Sequence, residues 1–88
     1  MPILSKRNGL IIRQLDDELI ILNTETGYIH VLNSMGALIW CLLDDHLTID
    51  DIIYEIKKEF PDTDITLITH DAKKIIGDMI EHQILDLS

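Results

Sequence analysis

The hydrophobic period of this chain changes once, just after Leu32: short β-branched-rich runs divided by turn residues give way to apolar residues recurring three and four apart. That switch predicts a sheet first and helices afterwards, an α+β chain. Leu10–Arg13, Leu19–Leu22 and Tyr28–Leu32 are the three β-rich runs, separated by breaks of hairpin length at Asp16-Asp17 and Asn23–Gly27. Gly27 can supply the positive φ that a short hairpin loop with a bulge needs. The middle run is apolar at every position and suits a strand flanked on both sides. An antiparallel three-stranded meander follows, with the first and third strands as edges.

Beyond Leu32, Asn33 or Ser34 is placed to cap a helix over about Met35–Leu43, with Met35, Leu38, Ile39, Leu42 and Leu43 inward and Trp40 on a flank. Asp44-Asp45-His46 ends it. Thr48 followed by Asp51 resembles a capping box and opens a second helix to about Phe60, placing Ile49, Ile52, Ile53, Ile56 and Phe60 on one face. After Pro61-Asp62, Thr66 is the expected cap of a third helix through about His82, with Ile68, Ala72, Ile75, Ile76 and Met79 inward. The tail Ile84–Leu87 is apolar enough to dock back on the body. Eighty-eight residues support one modest core, so residues 1–88 are expected to form one domain: a meander followed by a three-helix bundle, winged-helix-like.

Charge narrows the partners. Sixteen acids against seven bases give a formal charge of −9, which repels phosphate backbones and excludes nucleic acid as a natural ligand. No apolar run nears the roughly 20 residues of a membrane span, Met1–Arg7 has no signal-peptide core, and neither amphipathic helix has a basic face. Cys41 is the only cysteine, which rules out an internal disulfide. These features predict a cytoplasmic chain.

Chemistry is sparse. His30, His46, His70 and His82 fall on different elements without the i, i+4 spacing of a helical metal pair, so no metal site is expected. Asp44 and Asp45 lie close to Cys41 in sequence and disfavour a thiolate there. The four glycines form no phosphate-binding fingerprint. The chain is therefore expected to bind rather than catalyse, without a cofactor. An edge strand after a meander offers unpaired N–H and C=O groups to an extended peptide. One flank of the third helix, Leu67, Asp71, Lys74, Ile75, Asp78 and His82, lies beside the buried stripe by 100° steps.

Leu22–Asn33, then Gly36-Ala37-Leu38-Ile39-Trp40 with Leu42-Leu43, then Leu47–Asp51, resembles the PqqD-like family, whose pattern runs from a strand ending in Leu-Asn through a small residue into Ile-Trp. The likeness covers about Leu10 to Leu87. His82-Gln83 stands where members often carry an Arg-Gly type turn, and Lys73-Lys74 where many are more apolar. The resemblance implies a non-catalytic recognition element that binds the leader of a ribosomally made precursor peptide and presents it to a modifying enzyme, a radical S-adenosylmethionine enzyme or a leader peptidase. It further implies that the leader adds as a strand to the third strand beside the third helix. The expected peptide-binding residues are Tyr28, Ile29, His30, Val31, Leu32, Leu67, Asp71, Lys74, Ile75 and Asp78, in a monomer or weak homodimer. Two other classes compete: a winged-helix-like regulator, which the charge disfavours, and a self-association module pairing the same edge across a two-fold axis.

Overall fold

The structure, a computed structural model, describes residues 3–45 and 48–88. Its elements in order are β1 (Leu4–Lys6), β2 (Leu10–Leu15), β3 (Glu18–Asn23), β4 (Ile29–Leu32), α1 (Ser34–Leu42), α2 (Ile49–Glu59), α3 (Ile65–Glu81) and β5 (Leu85–Leu87). The expected meander is present as an antiparallel sheet in the order β2-β3-β4, with β3 central. Gly27 has the predicted positive φ, 74°.

One sheet was not foreseen. β1 pairs antiparallel with β5, Leu4 opposite Leu87 and Lys6 opposite Leu85, so the tail does dock on the body, but as a strand. Leu4-Ser5-Lys6 is too short and too polar to show a period, and only a partner from the far end of the chain makes it a strand. Arg7 Nε on Asp86 at 3.0 Å closes the end of this ribbon.

The helices form where capping chemistry starts them. The Asn33 side chain accepts from Gly36 N at 3.1 Å, and Thr48 Oγ1 accepts from Asp51 N at 3.2 Å. The third cap is Asp64 rather than Thr66: its carboxylate accepts from Thr66 N at 2.8 Å, and a carboxylate also complements the helix dipole. Lys57 Nζ donates to the carbonyls of Pro61 and Thr63 and ties down the turn before it.

Ile21 and Leu32 from the sheet, Ile39 from α1, Ile52 and Ile56 from α2 and Ile76 and Met79 from α3 meet in one core. Trp40 is buried rather than on a flank, because Lys6 of β1 lies 4.5 Å above its ring and is held there by Asp44 at 2.6 Å. Phe60 is half exposed instead of inward, since α2 has already ended and Phe60 is its C-cap. Met35, Leu38 and Leu42 pack at the core margin. The expected helix stop at His46 lies outside the described residues.

Candidate functional site: an open strand edge beside the third helix

The free edge of β4 follows from the ladder. Asn23 stands opposite Tyr28 and donates its N–H to the Tyr28 carbonyl at 2.9 Å. Because bonded and non-bonded pairs alternate in an antiparallel ladder, His30 and Leu32 also direct their backbone groups toward β3. Ile29 and Val31 therefore turn their N–H and C=O groups the other way, to an edge that no strand among the described residues covers. Both positions present edge donors.

Side chains alternate in the same rhythm. His30 and Leu32 lie opposite Ile21 and Leu19 on the inward face, while Ile29 and Val31 lie opposite Leu22 and Ile20 on the outer face. Ile29 is 60% exposed and Val31 50%.

Beside this edge run two adjoining hollows. The first, about 220 Å³, is lined by Glu18, His30, Val31, Leu32, Asn33, Gly36, Ile75 and Asp78. The second, about 380 Å³, adds Met35, Asp71 and Lys74 and shares Asn33, Ile75 and Asp78 with the first. The result is a groove with a partly apolar floor, Ile75 with Leu32 and Met35, and a charged rim of Glu18, Asp71, Lys74 and Asp78. Gly36 lets α1 lie close to β4: a Cβ there would stand 3.1 Å from Leu32 Cβ.

The end of β4 is joined to the end of α3 by rings. Tyr28 and His82 have centroids 4.5 Å apart, with Tyr28 Oη 3.3 Å from His82 Nε2. His30 meets His82 edge-on at 4.7 Å. Burial, then the neighbouring His82 charge, hold the His30 imidazole below its ordinary value of 6.5, with Asp78 pulling the other way.

Of the residues predicted from sequence, the groove brings together His30, Val31, Leu32, Asp71, Lys74, Ile75 and Asp78. Tyr28 lines a separate small hollow with His82, Ile29 faces outward, and Leu67 is exposed and lines neither part of the groove. Glu18, Asn33, Met35 and Gly36 were missed as lining residues. Asn33 and Gly36 carried a signal, as the helix cap and as the small residue of the Leu-Asn to Ile-Trp pattern. Glu18 carried none, since it reaches the site only through the pairing of Leu19 with Leu32.

Comparison with known proteins identifies the family and the fold. The family described as coenzyme PQQ synthesis protein D (PqqD) matches residues 18–85. The chain belongs to the PqqD family. Two solved structures share the fold of this PqqD-family chain. TbiB1 in complex with the TbiA(beta) leader peptide is 22% identical, covers 93% of this chain and 94% of its own, and has a TM-score of 0.82. A lasso peptide synthetase B1 complexed with the leader peptide is 23% identical, covers 94% and 96%, and has a TM-score of 0.79. No curated protein sequence matches. No helix among the described residues is long and apolar enough to cross a membrane.

Proposed function

We propose that this PqqD-family chain binds the leader segment of a ribosomally made precursor peptide by strand addition to β4 and holds it for a modifying enzyme, catalysing nothing itself. One observation carries the reading: Ile29 and Val31 direct backbone donors and acceptors to an open edge directly beside the groove against α3. Both structural neighbours were solved with a leader peptide, which supports the same ligand class here.

Magnitudes show what the groove must contribute. Two residues with free N–H and C=O groups offer about four backbone hydrogen bonds, each contributing roughly 0.5 to 1.5 kcal/mol net. Micromolar binding needs about 8 kcal/mol. Side chains of the leader on the inward face must supply the difference by burying apolar surface against Ile75, Leu32 and Met35.

The outer face suits the enzyme. Ile11, Leu22 and Ile29 form one row across the sheet, and Ile20 and Val31 continue a second, with the helices on the opposite face. A strand added to β4 would extend this apolar face, so enzyme and leader would be read together. That enzyme would be a radical S-adenosylmethionine enzyme or a leader peptidase.

The test is a titration of the isotope-labelled chain with leader segments of precursor peptides encoded beside its gene. Amide shifts are expected to concentrate in Ile29–Leu32 and in α3 between Asp71 and Asp78. Saturable binding that leaves both segments unmoved, or no binding by any neighbouring precursor to the folded chain, would overturn the proposal.

A further inference from the structure

Strand addition needs an edge and a groove, yet the structure also places two imidazoles at the junction of β4 and α3. His30 projects inward from β4, and His82 is the C-cap of α3. Their rings meet edge-on at 4.7 Å, and Tyr28 sits against His82 with Oη 3.3 Å from Nε2. In both histidines Nδ1 is shut away from solvent without a hydrogen-bond partner.

A neutral ring tolerates that setting. With its proton on Nε2 it leaves Nδ1 a bare lone pair, and in His82 it can donate to Tyr28 Oη. An imidazolium does not, because both nitrogens then donate and the buried Nδ1–H has no acceptor. A charge on His82 also lies against His30. The facing groups are Glu18 of β3 and Asp78 of α3 around His30, and Tyr28 and Glu81 around His82. Burial holds the His30 imidazole below its ordinary value of 6.5, and that ring carries the proton change.

We infer that peptide docking at β4 is coupled to the neutral state of the His30–His82 pair, so that acid loosens the β4–α3 junction and releases the peptide. This rests on β4 being the peptide edge. A strand laid beside Val31 covers the hollow that His30 lines and removes water from the open side of its ring. The bound state therefore holds fewer protons than the free state, and affinity falls as pH falls. His30 is already held below its ordinary value of 6.5, so the loss begins below that pH and approaches about ten-fold per pH unit for each proton released.

Two measurements decide it. In the peptide-free chain, imidazole nitrogen spectra should show His30 titrating below 6.5 with the amides of β4 and the last turn of α3 moving on the same curve. Titration of His30 with those amides unmoved would overturn the inference. The second uses a leader segment found by the titration above, its own histidines replaced by glutamine, with Kd measured at about pH 7.5 and 5.5. A measurable weakening at the lower pH, less than about ten-fold for one released proton, is expected. In the double variant His30→Phe and His82→Phe, which keeps ring packing, the ratio of the two Kd values should collapse to about one whatever the absolute affinity. Equal affinity of the unaltered chain at both pH values, or an undiminished ratio in the double variant, overturns the coupling. Binding at neither pH overturns the peptide reading instead, and the peptide-free spectra still decide whether the junction responds to protons.

Discussion

Asn23 at the end of β3 donates its side-chain amide to the backbone carbonyl of Gln83 at 2.8 Å, joining the sheet to the turn that follows α3. Its Oδ1 accepts from the N–H groups of Glu25 and Thr26, so one side chain also shapes the β3–β4 hairpin. Asn23 is the buried polar residue of a core otherwise made of apolar side chains among the described residues. Asn23→Leu would strand three partners and is expected to cost about 1–3 kcal/mol. Urea unfolding should show a lower midpoint with an unchanged slope, since the folded surface stays the same.

That residue marks the boundary of what the sequence disclosed. Asn23 reads locally as a turn residue, and nothing local points to Gln83, 60 positions on. The meander, the caps Asn33 and Thr48 and the α3 core stripe were legible because period and capping are local properties. The β1–β5 ribbon was not, because a three-residue strand has no period and exists only through its distant partner. The same split runs through the site. The α3 flank could be read from 100° steps, but Glu18 and the pairing of His30 with His82 come from register, which no single segment contains.

Leu4 tests how much the ribbon holds. It is fully buried, and it lies in β1 opposite Leu87. Leu4→Ala should cost about 2–5 kcal/mol, the range for leucine truncation in a packed core. For a chain this small that corresponds to a drop of roughly 4–8 °C in Tm per kcal/mol. Thermal unfolding followed by Trp40 fluorescence is a suitable probe, since Lys6 of the same strand covers that ring. A change under about 0.5 kcal/mol would mean that the N-terminal strand is peripheral to stability.

Val31→Pro separates the peptide edge from the fold. Its N–H faces away from β3, so proline removes an edge donor without taking a ladder bond. Leader affinity is expected to fall about ten-fold or more, from the lost hydrogen bond and the bulk of the ring at the edge. Val31→Ala keeps the donor and should stay within about three-fold of the unaltered chain. Isothermal titration of both variants against one leader segment distinguishes backbone pairing from side-chain contact: equal losses in the two would argue against strand addition.

Ile11→Lys combined with Ile29→Lys addresses the outer face. The two residues flank Leu22 in one row across the sheet, and both are largely exposed, so charge there removes an apolar surface without emptying a core site. Folding stability should stay within about 1 kcal/mol, as for surface substitutions away from special features. Leader affinity should also hold, because the Ile29 N–H remains and the groove lies on the opposite face. Processing of the precursor by the modifying enzyme from the same gene cluster should fall sharply, since a lysine at the centre of an apolar contact must lose its hydration to bind. The decisive comparison is single-turnover processing with the leader already saturating each variant. A rate equal to that of the unaltered chain would place the enzyme on another surface, whereas loss of processing with intact leader binding would assign the two functions to the two faces of one sheet.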